Sequence, residues 1–393
     1  MVGVIYRVLL FCLFSLIANE AANIGDELVA VAVVFRHGDR SPLDSFPNDP
    51  YFNGTYWPMG VGQLLNFGKN NSYQLGRYLR QRYKTFLSDQ YKRQEIEVLS
   101  SDVDRTIMSA QLMLAAMYPP TPEDVWLEGF PWQPIPVHSI TKKIDNLIGF
   151  DFECPKRSLL FNAAETEVLD SLRALYPDIF KAISQNSGWD QIGESQLRCL
   201  VGTMNIYKKF KPAYVPEWYA ALDQQTMDYI AGACFQLPTH TEQLRRLTTG
   251  PLFNHLINKL DGAIKGETHK FLMLSGHDST LAPLLDTVDC FDYKIPDLAS
   301  VAIFEVYRTA NGQHYINLLY KNGAESEAGP ILVDKCKNSW NYDEFKTFLA
   351  PIRINDEDWT RECEADSTTG ASGRIEARFA LISVIFFWLN ICY

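Results

Sequence analysis

Three short polar segments of the sequence carry side chains that are suited to phosphate chemistry. They are residues 36–42 (RHGDRSP), residues 101–106 (SDVDRT) and residues 276–279 (GHDS). The candidate functional residues within them are Arg36, His37, Arg40, Arg105, His277 and Asp278. If the three segments converge in the fold, these side chains predict a binding site for an anion.

Each residue type in this set has a defined use in phosphoryl transfer. The guanidinium group of arginine is a planar fork of donors that matches phosphate oxygens and stays charged at any relevant pH. A histidine imidazole is a competent nucleophile toward phosphorus. An aspartic acid can protonate a leaving oxygen and later accept a proton from water. The set therefore indicates catalysis by positioning and by charge neutralisation around a transferring phosphoryl group.

A zinc site formed by His37, His277 and Asp278 is the metal-binding alternative. The flanking arginines disfavour it, because a divalent cation would then lie among fixed positive charges. The sequence contains no H-E-x-x-H motif for zinc and no G-x-S-x-G motif for a serine hydrolase. We therefore expect no metal ion and no other cofactor.

Each segment also has a purely structural explanation when it is taken alone. Residues 36–38 could form a turn, His277 and Asp278 could cap a helix, and Arg105 could pair with a neighbouring aspartate. These explanations lose weight because all three segments directly follow predicted strands.

The predicted strands are residues 28–35, 96–100 and 270–275, each rich in aliphatic residues. In an open parallel sheet, ligands bind beyond the carboxyl ends of the strands. Neighbouring positions in one sheet would therefore bring the three polar segments together, although they lie far apart in the sequence.

The remaining pattern predicts an α/β fold with a mostly parallel central sheet flanked by helices. Helices are predicted over residues 61–87 and 105–117, and further strands over 301–307 and 315–320. Residues 151–245 have helix-like spacing without a convincing buried strand, so we expect a helical cap inserted into an α/β domain made of residues 23–150 and 246–365.

Both ends of the chain resemble processing signals. Residues 1–22 contain Arg7 followed by an apolar run, which is typical of a secretory signal peptide. Residues 366–393 begin with small residues and end in an uncharged apolar stretch, which is typical of a GPI attachment signal. A short transmembrane anchor and a tail packed on the domain are the alternatives for this segment.

Cysteines and glycosylation motifs agree with export from the cytosol. Removal of both ends would leave six cysteines, an even number that predicts three disulfides in an oxidising compartment with undetermined pairing. They are Cys154, Cys199, Cys234, Cys290, Cys336 and Cys363. Asn53 and Asn70 occupy N-x-S/T motifs and are the predicted glycosylation sites. We expect a location in the secretory pathway, either extracellular, at the cell surface or lysosomal.

The net charge of the chain is −11, which disfavours nucleic acids and anionic lipids as partners. Any phosphate site must then be a local group of cations rather than a basic surface.

The polar segments and the residues around them resemble those of a known family. Residues 36–42 resemble the R-H-G-x-R-x-P signature of the histidine acid phosphatases, in branch 2 of the histidine phosphatase superfamily, and His277-Asp278 resembles the distal H-D pair of that family. Residues 102–106 resemble the segment that carries its third phosphate-binding arginine, and residues 132–138 resemble a stretch of its prostatic and lysosomal members. The likeness extends from about residue 28 to Cys363 and is weaker in the predicted cap.

The resemblance implies an acid phosphatase that hydrolyses phosphate monoesters. His37 would become phosphorylated, and Asp278 would act as the general acid and base. Four residues would hold the phosphate: Arg36, Arg40, Arg105 and His277. The resemblance also implies a Cys154–Cys363 disulfide and makes a homodimer an open question.

Two rival functions remain open from the sequence. A phytase or inositol polyphosphate phosphatase of the same superfamily would need a strongly basic pocket, which the acidic charge balance disfavours. A secreted binding protein that keeps the scaffold without turnover is the second rival, because fold alone does not prove function.

Overall fold

The central strand of the fold is the aliphatic segment predicted from the sequence. In a computed structural model, which describes residues 25–329 and 331–364, strand β1 (Glu27–Arg36) lies in the middle of a seven-stranded sheet. Its side chains alternate between the two faces of the sheet, and residues 30–35 are buried on both of them. The predicted signal peptide and the predicted C-terminal tail lie outside the described residues.

The sheet has the order β3-β2-β4-β1-β5-β6-β7. The other strands are β2 (Ile96–Ser101), β3 (His138–Ile140), β4 (Phe271–Gly276), β5 (Val301–Arg308), β6 (His314–Lys321) and β7 (Ser339–Asn341). Strands β3, β2, β4 and β1 are parallel, whereas the pairs β1–β5, β5–β6 and β6–β7 are antiparallel. The mostly parallel sheet predicted from the sequence is thus confirmed in the half that carries the three polar segments.

Helices cover both faces of this sheet and form two hydrophobic cores. They are α1 (Asn66–Arg82), α2 (Asp104–Met117), α9 (Gly250–Lys265), α10 (Asp278–Thr287), α11 (Tyr342–Leu349) and α12 (Asp356–Glu364). Val31, Val33 and Phe35 of β1 share one core with residues of α1 and α2. Ala32 and Val34 share the other core with residues of α9 and α10. Burial of both faces explains why β1 is aliphatic along most of its length.

Residues 151–245, predicted as a helical cap, form helices joined by short connections. These helices are α3 (Pro155–Leu175), α4 (Pro177–Ser187), α5 (Glu194–Phe210), α6 (Glu217–Ala220), α7 (Gln224–Gln236) and α8 (Glu242–Thr248). Helices α5 and α7 share a separate hydrophobic core, in which Leu197, Met204 and Ile230 are fully buried. The division into a cap and an α/β domain stays a prediction.

The predicted helix over residues 61–87 is shorter at both ends, since α1 spans Asn66–Arg82. The preceding residues instead pair with the first polar segment: Leu64 forms a β-bridge with Arg40, and the Leu65 amide donates to the Asp39 carbonyl at 2.9 Å. Gly62 in this stretch has a φ of +68°, which is incompatible with a helix.

Two disulfides occur among the described residues, where the sequence predicted three. Cys154 bonds Cys363, as the family resemblance implied, and Cys290 bonds Cys336. The prediction was wrong for Cys199 and Cys234, which are free thiols. Cys199 faces a pocket on one side of α5, whereas Cys234 is buried in the core beneath α7, so the two thiols occupy different environments.

Within residues 25–329 and 331–364, no helix has both the length and the apolar character needed to cross a bilayer. The predicted glycosylation residues Asn53 and Asn70 are both exposed.

The loop after β1 packs against α1 through a pair of glycines. A Cβ atom on Gly38 would lie 2.2 Å from the Gly68 carbonyl oxygen, and one on Gly68 would lie 2.0 Å from the Asp39 carbonyl oxygen. Neither contact leaves room for a side chain, so both glycines are required for the close approach of loop and helix.

We therefore predict that Gly68→Ala lowers the free energy of unfolding by about 1–3 kcal/mol or more, because the added methyl group overpacks a rigid backbone contact. Gly54→Ala is the matched control, since a Cβ there meets no atom within 4 Å in the described part of the chain. Urea unfolding of the two variants measures the difference, and equal stabilities would contradict the packing argument.

Candidate active site

His37 lies at the carboxyl end of β1 and is fixed by hydrogen bonds to its backbone and ring. Its amide donates to the Gly276 carbonyl at 3.1 Å, and its carbonyl accepts from the Ala299 amide at 3.1 Å. Nδ1 lies 2.8 Å from the Gly38 carbonyl oxygen. A carbonyl can only accept, so Nδ1 carries the proton and Nε2 keeps a free lone pair when the ring is neutral.

The environment of His37 favours the neutral ring. Its pKa is lowered well below the usual value, first by burial and then by the positive charges of Arg36, Arg40 and Arg105. The side chain is almost completely buried yet lines the pocket described below. An unprotonated imidazole can therefore persist into acidic solution.

The three predicted arginines lie close enough to His37 for their charges to lower its pKa. Arg36 forms an ion pair with Asp278 (Nη2 to Oδ2, 2.6 Å) and donates from Nη1 to the Pro296 carbonyl at 2.5 Å. Arg40 donates to the Ser41 carbonyl at 3.1 Å. Burial, followed by the charge of Arg36, lowers the pKa of Arg40 to about 9.

These guanidinium groups have more positive charge than the protein around them neutralises. The Nε atoms of Arg36, Arg40 and Arg105 are buried without a hydrogen-bond partner among the described residues. Asp278 is the carboxylate in direct contact with the group. The arrangement is suited to a doubly charged anion that accepts from several guanidinium groups at once.

His277 lies beside His37, with ring centroids 5.6 Å apart. Its Nε2 lies 2.8 Å from the Ser101 hydroxyl, and its Nδ1 lies 3.4 Å from Nη2 of Arg105. Because a guanidinium can only donate, Nδ1 accepts and Nε2 carries the proton. Burial and then the charge of Arg105 lower the pKa of His277 to about 3, so this ring is also neutral.

Asp278 is the first residue of α10 and points into the same site. Burial would raise the pKa of its carboxyl, but the charges of Arg36 and Arg40 outweigh this effect and lower the pKa to about 2. The Asp278 carboxyl is therefore ionised in the ligand-free protein and neutralises part of the arginine charge.

These six residues line one pocket of about 870 Å³. The parallel ends of β1, β2 and β4 form its floor, and one side of α5 forms much of its opposite wall. This volume falls in the usual range for small-molecule sites and leaves ample room beyond a phosphate group.

Helix α5 and Asp39 also contribute to the site, although neither was predicted from the sequence to do so. The Asp39 carboxylate is completely buried, accepts from the Asn71 amide at 2.8 Å and pairs with the Lys209 ammonium at 2.5 Å. Lys209 belongs to α5 and also lies 4.7 Å from the ring of Phe67. The contact joins the loop that carries Arg40 to the helical region, and no local sequence pattern signals it.

No group of three or more histidine, cysteine, aspartate or glutamate side chains in the described part of the chain is placed to hold a metal ion.

The chain is similar to known proteins along most of its length. Residues 27–321 match the profile of the "Histidine phosphatase superfamily (branch 2)". Prostatic acid phosphatase from Bos taurus is 32% identical over 86% of this chain and 88% of that protein. Lysosomal acid phosphatase from Xenopus laevis is 30% identical over 87% of this chain and 80% of that protein.

Solved structures of other proteins share the fold of this chain. The phytase from Citrobacter braakii superposes with a TM-score of 0.63 at 16% identity and covers 86% of this chain and all of its own (100%). The Hafnia alvei phytase in complex with tartrate gives 0.63 at 14% identity, covering 85% of this chain and 98% of its own.

The Lys209–Asp39 ion pair generates a prediction about stability and activity. We expect Lys209→Met to lower the free energy of unfolding by about 2–4 kcal/mol, because it leaves a buried carboxylate without its counterion. A displaced Arg40 loop should also lower kcat/KM about tenfold, the equivalent of about 1.4 kcal/mol.

Lys208→Met is the matched control. It removes the same charge from the same pocket, but Lys208 hydrogen-bonds Gln224 and not the Arg40 loop. Urea unfolding and kcat/KM should separate the two variants, and Lys209→Arg should recover most of both losses. Equal effects of the two methionine variants would show that only pocket charge matters.

Proposed function

The chain belongs to branch 2 of the histidine phosphatase superfamily, and we propose that it is an acid phosphatase that hydrolyses phosphate monoesters through a phosphohistidine at His37. The observation that supports this most directly is the neutral, buried imidazole with its Nε2 lone pair free inside a group of incompletely neutralised arginines. The two acid phosphatases compared above carry that activity in their names.

In the first step, the phosphate group of the substrate binds Arg36, Arg40 and Arg105. His277 donates to the phosphate once its Nδ1 takes up a proton in place of its contact with Arg105. The Nε2 lone pair of His37 attacks phosphorus, a nitrogen–phosphorus bond forms, and the bond to the ester oxygen breaks. Asp278 donates its proton to the departing alcohol. The arginines neutralise the charge on the transferring group throughout.

In the second step, water attacks phosphorus and the nitrogen–phosphorus bond breaks. Asp278, now a carboxylate, accepts a proton from the attacking water, and inorganic phosphate leaves. The imidazole returns to its neutral form with the proton still on Nδ1.

The low pKa of Asp278 in the ligand-free protein requires a source for the proton that it donates. A phosphate monoester has a second pKa near 6, so the monoanion that dominates in acid brings one proton into the site. The bound phosphate also offsets the charges of Arg36 and Arg40, which are what hold the pKa of Asp278 down. We infer that the reaction needs the substrate monoanion and is therefore fastest in acid.

Phytase activity is the second candidate, because the superposed structures are phytases. Two of the outer-wall cations are already in ion pairs: Lys209 with Asp39 and Arg198 with Glu194. A highly charged inositol phosphate would meet few free cations beyond the arginine group. Comparing turnover of phytate and p-nitrophenyl phosphate tests this, and faster phytate turnover would reverse our preference.

The cellular setting belongs to the same proposal. We propose that the protein enters the secretory pathway, is glycosylated at Asn53 and Asn70, and is held at a membrane by residues 366–393. Both asparagines are exposed, which supports modification. Expression in a secreting eukaryotic cell, followed by glycosidase and phospholipase treatment, tests these points. An unglycosylated protein in the cytosol would contradict all three.

A homodimer is a further proposal that derives from the family resemblance. Strand β3 is at the edge of the sheet, and exposed aromatic side chains, including Trp126, Phe130 and Trp132, precede it. Sedimentation velocity tests the proposal, and a monomer at micromolar concentration would oppose it.

The covalent intermediate gives the first functional prediction. Rapid mixing with p-nitrophenyl phosphate at pH 5, followed by a quench in mild base, should leave one phosphoryl group on the peptide that contains His37, as detected by mass spectrometry. His37→Ala should show neither the phosphopeptide nor turnover above background. A phosphopeptide elsewhere, or an active His37→Ala variant, would exclude the mechanism.

The role of Asp278 as the general acid gives the second functional prediction. Asp278→Asn should lower kcat about 10²- to 10⁴-fold for an alkyl phosphate, because the alcohol leaves unprotonated, and much less for p-nitrophenyl phosphate. For the unmodified protein, kcat/KM should fall as pH rises through about 6, where the substrate loses its second proton.

Asp44→Asn is the control for Asp278→Asn, since Asp44 lines the same pocket without an ion-pair contact to the arginines in the described residues. Steady-state kinetics with both esters from pH 4 to 8 give the comparison. Equal losses for the two esters in Asp278→Asn would argue against general-acid catalysis.

A further inference from the structure

Helix α5 spans the pocket from one end to the other. At one end Arg198 lies over Phe235 at 5.0 Å, and its charge contributes to the low pKa of Asp278. At the other end Lys209 contacts Asp39 and lies over Phe67. The part of α5 between these two cations faces the pocket with Cys199, Gly202 and Ile206, together with Thr203, Asn205 and Lys208.

Gly202 is the one glycine among these residues, and neither packing nor backbone geometry requires it. A Cβ atom built on Gly202 meets no atom of the described residues within 4 Å, and the φ of Gly202 is not in the left-handed region. By contrast, a Cβ on Gly232 of the neighbouring helix α7 would lie 1.8 Å from the Tyr293 carbonyl oxygen. Gly232 is thus needed for packing, whereas Gly202 occupies a helix interior that alanine would stabilise better.

The structural effect of Gly202 is to leave space inside the pocket. The missing side chain opens a gap in the wall formed by α5, between the two cation–phenylalanine contacts. Ile206, one helical turn along α5 from Gly202, and Phe235, which lies beneath Arg198, also line the pocket and are apolar. The gap is therefore suited to a bulky apolar group rather than to a second anion.

The charges at the pocket mouth also disfavour a second anion. Asp44, Asp297 and Glu325 line the pocket, are exposed, and form no ion pair within the described residues. Negative charge on a leaving group would meet these carboxylates before it reached the arginines.

We propose that the gap at Gly202 is the subsite for the leaving group, and that the preferred substrates are phosphate monoesters of bulky, uncharged alcohols. The inference rests on the proposed phosphatase function and adds which kind of alcohol the preferred phosphate monoester carries. Gly202 acts because its missing side chain keeps the gap open. It therefore determines which leaving groups fit, without taking part in the chemistry.

The test compares Gly202→Leu with Gly202→Ala. Alanine and leucine have similar helix propensities, so any difference between the variants reports side-chain volume. We expect Gly202→Leu to lower kcat/KM for naphthyl phosphate about tenfold or more, and for ethyl phosphate less than about threefold. Gly202→Ala should lower kcat/KM for naphthyl phosphate less than Gly202→Leu does, because it fills less of the gap, and it should raise the melting temperature.

Inhibition by inorganic phosphate is the internal control, because phosphate fills the arginine group without reaching the gap. Its inhibition constant should change less than about twofold in both variants if the subsite is separate from the phosphate site. Equal losses for the two esters, or no loss for naphthyl phosphate in Gly202→Leu, would overturn the subsite. An unmodified protein inactive toward both esters would overturn the proposed function as well.

Discussion

The interaction on which the site depends is the repulsion among three guanidinium groups around one neutral imidazole; Arg36 and Arg40 are buried and Arg105 is partly buried. Asp278 neutralises part of their charge through its ion pair with Arg36, and Nε atoms on all three arginines remain without a partner in the described structure. A folded protein tolerates such an arrangement only where the surrounding structure is rigid enough to impose it. Burial lowers the pKa of His37 most, and the same arginine charges lower it further, so the cations that form the anion site also help to keep the nucleophile neutral.

The rigidity comes from backbone contacts on all sides of residues 36–39. Strand β4 binds the His37 amide, the segment after Tyr293 binds Arg36 through the Pro296 carbonyl, and the Ala299 amide binds the His37 carbonyl. Ala299 has a φ of +62°, which is unusual for a residue with a side chain. This unfavourable conformation directs its amide toward the site, so local backbone strain contributes to the positioning of His37.

Much of the scaffold and the site could be predicted from the sequence because their signals are local. The aliphatic run of β1 and the polar residues that follow each strand are contiguous, and the rule that ligands bind at the carboxyl ends of parallel strands connects them. The antiparallel half of the sheet could not be assigned, since strand direction depends on connections with no distinct sequence pattern. The Lys209–Asp39 contact joins residues 170 positions apart, and the free thiols of Cys199 and Cys234 depend on which face of a helix each occupies.

The contrast between the acidic chain and the cationic site has a consequence for how substrate is captured. A net charge of −11 and exposed carboxylates at the pocket mouth give no long-range attraction for a phosphate ester. Attraction begins only when the phosphate is close to the arginines, at distances shorter than the screening length of about 8 Å in physiological salt. Binding should then derive from direct contacts with the guanidinium groups, together with apolar contacts that the leaving group makes along α5. Such a site does not accelerate substrate association by long-range electrostatics. It discriminates substrates by the shape and charge of the alcohol that the phosphate carries.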